Sequence, residues 1–187
     1  KILGREDRKY GDHSGNRVLC RFYNQGSIGD QSSSFSGVYP VGSGHSYIWE
    51  FSPVIAASVL DTSGNRKRIV SDGLRGLVDV SPEGTPWSFE PIAGYANPNQ
   101  ENLAMSDNSS TWPSTWPNRD EDWDGEWNGQ YGKYVRADQE SYFVMDDYYN
   151  SEYEFWPDLD DTPESSLESP DDHRRGLGID LEVRGYQ

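Results

Sequence analysis

Leu177-Gly178-Ile179-Asp180-Leu181-Glu182-Val183-Arg184 places its apolar residues at every second position and fills the positions between with glycine or charge. In a strand, successive side chains point to opposite faces, so Leu177, Ile179, Leu181 and Val183 share one face and the charges share the other. The same residues on a helix would spread around its circumference. Working outward, Ser46–Phe51 (SYIWEF), Val54–Leu60 (VIAASVL), Ser141–Met145 (SYFVM) and Glu152–Trp156 (EYEFW) read as further strands. Pro53 separates the first two. Arg66–Ser71 follows Asp61-Thr62-Ser63-Gly64-Asn65, a turn of residues that tolerate left-handed backbone, so Val54–Ser71 reads as a β-hairpin.

No segment carries a helical apolar stripe of useful length. With 19 glycines and 11 prolines, the expected fold is an all-β, antiparallel, β-sandwich-like domain. Its loops are long: Gly26–Gly44 is rich in Ser and Gly, Ser81–Asn118 holds six prolines, and Pro157–Arg175 is acidic. Loops of that length are usually functional or lie against a partner. The division expected is an N-terminal segment, 1–14, and a single β-rich domain, 15–187. The chain opens on Lys1 with no apolar leader core and stops just after a strand-like run, which suggests part of a longer parent chain.

The 187 residues include 32 Asp and Glu against 16 Lys and Arg, a formal net charge of −16. That balance disfavours nucleic acid and anionic membrane surfaces, both of which are bound through cationic side chains. No run reaches the length needed for membrane insertion. Aromatic residues make up 13 % of the chain, too many for a disordered acidic polymer. Cys20 is the single cysteine, so there is no internal disulfide; a small buried residue fits its strand-like setting.

Five of the seven tryptophans fall between Trp112 and Trp156, among dense carboxylates. Within that stretch Asp120-Glu121-Asp122-Trp123-Asp124-Gly125 resembles the first half of a calcium loop. Alternate carboxylates on a curled backbone can converge on one Ca²⁺, and glycine permits the turn. The bidentate glutamate that closes such a loop is missing, since its position falls on Tyr131. The candidate metal ligands are Asp120, Asp122, Asp124, Glu126 and Asn128; the alternative is solvated carboxylates with local turn bonding. Asp146-Asp147 is a second possible contributor or an ordinary turn. Trp112, Trp116, Trp123 and Trp127 are candidates for a platform that stacks a carbohydrate or a partner. The plainer alternative is that they cover the ends of the core, as large aromatic side chains do.

Catalysis has little support. His13, His45 and His173 lie in polar or Gly-rich settings with no nucleophile motif, and Gly42-Ser43-Gly44-His45-Ser46 lacks the strand–turn–helix serine pattern. No phosphate-cradling glycine loop is present. Asn108-Ser109-Ser110 matches a glycosylation acceptor.

Several segments, taken in order, resemble a known kind of protein: Tyr39–Tyr47 (YPVGSGHSY), Ile69–Gly73 (IVSDG), Gly94–Pro98 (GYANP), Trp123–Gly129 (WDGEWNG), Ala137–Tyr142 (ADQESY) and Arg175–Gly178 (RGLG). They are similar to the N-terminal region of large, uncharacterised secreted bacterial proteins of the type exported by the type IX secretion system. The likeness runs from about Gly15 to Gln187 and implies secretion, β-rich architecture and further domains. It implies no enzymatic activity. The function expected is a non-catalytic structural or assembly module of a secreted or cell-surface protein, with a subunit of a fibrous extracellular assembly as one form of it. Its expected partners are other protein chains or further domains of the parent, with the edge of the Leu177–Arg184 strand as one docking element. A calcium-stabilised carbohydrate-binding module with a glycan partner is the alternative, and a hydrolase the second alternative.

Overall fold

The computed structural model describes residues 5–29, 36–60, 65–73, 87–148, 150 and 176–187. Apart from single 3-10 turns, all of their regular structure is strand: β1 (Tyr10–His13), β2 (Cys20–Tyr23), β3 (Val54–Leu60), β4 (Arg66–Asp72), β5 (Glu90–Pro91), β6 (Ala104–Met105), β7 (Glu140–Asp146) and β8 (Asp180–Tyr186). Every pairing between strands is antiparallel, so the all-β antiparallel class read from the sequence is present.

β7 organises the largest sheet. β8 pairs with it over all seven residues, from Glu140 opposite Tyr186 to Asp146 opposite Asp180. The other edge of β7 is shared by β5 at Met145–Asp146 and β6 at Ser141–Tyr142. β8 begins three residues later than the alternation starts, because Gly176 and Gly178 hold left-handed backbone just before it. Its outer edge has no strand partner among the described residues.

Both faces of β7 are buried, which the run Ser141–Met145 permits because every one of those side chains is enclosed. Phe143 and Met145 pack with Phe22 of β2 and with Phe89, Leu103 and Met105. Leu181 and Val183, the apolar face of β8, lie against the same cluster. On the opposite face Tyr142 and Val144 pack with Ala104, Trp116 and Trp127. The central sheet is thus covered by the β1–β2 pair on one side and by loop tryptophans on the other.

Three features differ from the sequence reading. First, β1 lies inside the 1–14 segment and pairs with β2 over all four residues, while Arg8 clamps the fully buried Glu90. Its described residues are therefore built into the sheet region. Gly11 obscures this strand in the sequence, yet β1 depends on it: a Cβ there would come within 2.9 Å of Met105 Sδ and 3.0 Å of Leu103 Cγ. Second, the proline-rich stretch 81–118 contains β5 and β6. Pro91 lacks an N–H and sits where a two-residue strand needs none. Third, Ser46–Phe51 forms only isolated bridges, Ser46 with Val38 and Phe51 with Ile28. The β3–β4 hairpin forms as expected. The strand expected at 152–156, the acidic run 158–172, Trp156 and His173 lie outside the described residues.

Candidate functional site

The loop from Thr111 to Gly129 closes over Tyr142 and Val144, and its tryptophans build most of that layer. Trp116 and Trp127 are each 2 % exposed and meet edge-on with centroids 5.9 Å apart. Three of the indole N–H groups have an acceptor. Trp112 donates to the Met105 carbonyl at 2.7 Å, Trp116 to the Glu126 carbonyl at 2.9 Å, and Trp127 to Glu140 Oε2 at 2.8 Å. Enclosed in this way, Trp116 and Trp127 offer no ring face to a sugar. Trp112 is half-buried and packs tilted against Trp127. Trp123 is half-buried, with the Arg119 guanidinium 4.2 Å from its ring centre and Lys133 Nζ 5.7 Å away.

The acidic loop is a 3-10 turn, Glu121–Trp123, followed by Gly125 at φ 75°. Asp120, Asp122, Asp124 and Glu126 are all exposed. Lys133 Nζ donates to the Asp122 carbonyl, so two cations, Lys133 and Arg119, flank the loop around the Trp123 ring. The fifth candidate ligand, Asn128, is fully buried and points elsewhere: its Oδ1 accepts from Arg119 Nε at 2.9 Å. A guanidinium occupies the place that a metal would take on that oxygen. Among the described residues no three His, Cys, Asp or Glu side chains are grouped as a metal requires.

Two other carboxyl groups of the region are buried and satisfied by the protein itself. Glu140 Oε1 accepts from the backbone N–H groups of Arg136 and Ala137, and its Oε2 accepts from Trp127. Asp147 accepts from Ser71 Oγ at 2.9 Å and from the Leu177 and Ile179 N–H groups, which ties β4 and the end of β7 to the entry of β8. Asn150 completes that cluster by donating to Ser71 Oγ at 2.9 Å. Asp147 is therefore a structural turn residue. Its neighbour Asp146 is half-buried, and burial pushes its carboxyl up to about 6, helped by Asp180 and Asp147 and opposed by the Tyr148 N–H.

Arg119 and Arg184 converge on Asn128. Arg184 donates to the Asn128 carbonyl, lies 3.9 Å above the Tyr142 ring centre and pairs with Glu182 at 2.9 Å. Burial raises the Tyr142 phenol. In front of these arginines is a polar cleft of about 430 Å³, completed by Asn118, Gln130, Glu182 and Tyr186. Sequence spacing could not find it, since Arg119 and Arg184 come from elements far apart in the chain.

Two apolar features were also missed. Between Tyr47 and Val54 the chain exposes Tyr47 (72 %), Trp49 (71 %), Phe51 (61 %) and Val54 (61 %). The first three belong to the stretch Ser46–Phe51 expected as a strand, which among the described residues forms only isolated bridges. A cleft of about 620 Å³ separates β2 from the β7–β8 face, with Phe51 and Pro53 at one side. Of the histidines, His45 is exposed in a turn whose Ser43 hydroxyl is bonded to backbone, donating to the Tyr39 carbonyl. His13 is buried and packs tilted against Phe22, with ring centroids 4.6 Å apart. Cys20 is half-buried, and burial raises its thiol. Asn108 is exposed and caps the Ser109–Thr111 turn. No family model matches the chain, and no curated protein and no solved structure matches it.

Proposed function

We infer that this chain is a non-catalytic assembly module of a secreted or cell-surface protein, and that its assembly partner is another copy of the same chain. The observation that carries the inference is the strip Tyr47–Val54, where four large apolar side chains are more than half exposed within eight residues. Contiguous exposed apolar surface of this kind marks a contact site. The strip leads straight into the β3–β4 hairpin, which among the described residues pairs only with itself. A two-stranded sheet is marginal alone and gains stability from a neighbour. Farther along the same hairpin Arg66 and Arg68 are exposed cations in a chain of net charge −16. The exposed carboxylates Asp120–Glu126 give a second copy a complementary surface. Such a contact is head-to-tail, so it builds rings or filaments rather than closed pairs. The resemblance to secreted surface proteins supports an extracellular setting.

Sedimentation across a concentration series tests this. Association above the 21.2 kDa monomer, weakened by salt and abolished in Trp49→Ser/Phe51→Ser, is expected. A monodisperse monomer at every concentration would refute it.

The polar cleft favours a second reading, glycan binding. Planar amide and guanidinium groups (Asn118, Gln130, Arg119, Arg184) beside the half-exposed Tyr186 suit sugar hydroxyls and a sugar face. A glycan array with no response removes this reading.

A further inference from the structure

The cleft between β2 and the β7–β8 face has apolar walls and an unsatisfied polar floor. Its walls come from alternate residues on each element: Val18, Cys20 and Phe22 on one side, Phe143 and Met145 on β7, and Val183 on β8. Three buried polar atoms in residues lining it have no hydrogen-bond partner: His13 Nε2, Ser27 Oγ and Ser141 Oγ. All three residues are at most 5 % exposed. Buried polar groups in folded proteins are nearly always satisfied, so three orphans in residues around one cleft call for an explanation. Gly185 sharpens the point. A Cβ on Gly185 would collide with Ser141 Oγ and stand 3.1 Å from His13 Nε2. Glycine at 185 puts no side chain between these two buried atoms, and both lie close to the same point.

We propose that this cleft binds an elongated apolar molecule with one uncharged oxygen head, such as a long-chain alcohol or its ester, the head hydrogen-bonded by Ser141 Oγ and His13 Nε2. The volume of about 620 Å³ falls within the range of ligand pockets, roughly 300–1,000 Å³. An apolar enclosure with a few convergent polar atoms fixes such a ligand by hydrophobic burial and orients it through its head. Burial lowers the His13 imidazole below its ordinary value, against a smaller opposing effect of Asp107, so the floor offers neutral donors and acceptors. Desolvating an ionised carboxylate head against neutral groups is unfavourable, which sets alcohols and esters apart from fatty acids.

The chain supplies its own reporter, because its two methionines divide between the sites. Met145 lines the cleft, while Met105 belongs to the same core but not to the cleft wall. With isotope-labelled methionine methyl groups, titration with 1-dodecanol is expected to shift the Met145 resonance and leave Met105 in place. Ionised dodecanoate should bind about tenfold or more weakly. Ser141→Ala should weaken dodecanol about tenfold while leaving dodecane binding and the thermal midpoint undiminished, since the substitution removes an unpartnered buried hydroxyl. The proposal is overturned if Met145 does not respond, if dodecanoate binds as tightly as dodecanol, or if Ser141→Ala binds dodecanol as the parent chain does.

Discussion

Trp127→Phe tests whether the tryptophan layer is structural. Trp127 is 2 % exposed, and its indole N–H is the donor on Glu140 Oε2, itself in a residue that is 2 % exposed. Phenylalanine keeps an aromatic ring but removes that donor. Losing a hydrogen bond to a buried carboxyl group costs about 1.5–3 kcal/mol. The smaller ring adds about 1 kcal/mol for the space left between Trp112, Trp116 and Tyr142. The expected loss is about 2.5–4 kcal/mol, or a melting temperature lower by roughly 10 °C for a chain of this size. Urea unfolding followed by circular dichroism measures it. The same substitution in a Glu140→Leu background should cost only the packing loss, about 1 kcal/mol, so the two sites should couple by about 2 kcal/mol. A cost below about 1 kcal/mol for the single variant, or equal costs in the two backgrounds, would refute the buried-bond account.

Other outcomes follow from the same geometry. Arg8→Ala strips the guanidinium from the fully buried Glu90 and should lower stability by about 3–5 kcal/mol in urea unfolding. Asp146 should make the fold less stable as pH rises: its folded carboxyl titrates at about 6, above its ordinary value of 3.8, so the native state holds the extra proton between those values. Asp146→Asn should therefore raise the melting temperature at neutral pH and leave it nearly unchanged below pH 3.8. The gain should be about 1 kcal/mol, because solvent screens a half-exposed group. Gly176 sits at φ 72°, and a Cβ there would strike the Asp147 backbone carbonyl; Gly176→Ala should cost about 3 kcal/mol, read as a lower urea midpoint.

Strands with continuous alternation or a dense apolar run were legible in the sequence. β7 and most of β8 carry their own signal because their side chains face a core directly, whereas β3 and β4 carry theirs in two runs separated by the turn residues Asp61–Asn65. β1 was not legible, since Gly11 and Asp12 are poor strand formers and the strand exists through its fit against Leu103 and Met105. The aspartate spacing of 120–124 was legible as a pattern but said nothing about direction. Of the five candidate ligands, Asn128 is held inside by Arg119 and Arg184 while the four carboxylates stay at the surface. The reading of the tryptophans as cover for the core agrees with the burial of Trp116 and Trp127, and large rings in long loops were the signal for it. The two clefts left no local trace, because each is assembled from segments that are distant in sequence and close only after the sheet has formed.

Gln187 has a kinetic consequence. It exchanges backbone hydrogen bonds with Gln139, its side-chain amide reaches Asn16 and Val18, and its Oε1 accepts from the Gly15 N–H across 172 positions. A chain emerging from the ribosome has made β1, β2 and β7 well before this residue appears. Until then Phe143 and Met145 lack the cover of Leu181 and Val183, and the loop between Gly15 and Gln187 cannot close. Contacts between such distant positions slow folding, because their closure entropy is lost before their contacts form. Until residues 180–187 have been added, the nascent chain shows an open β7 edge and an uncovered apolar face. That interval is when aggregation threatens it and when a holding chaperone would have something to grip.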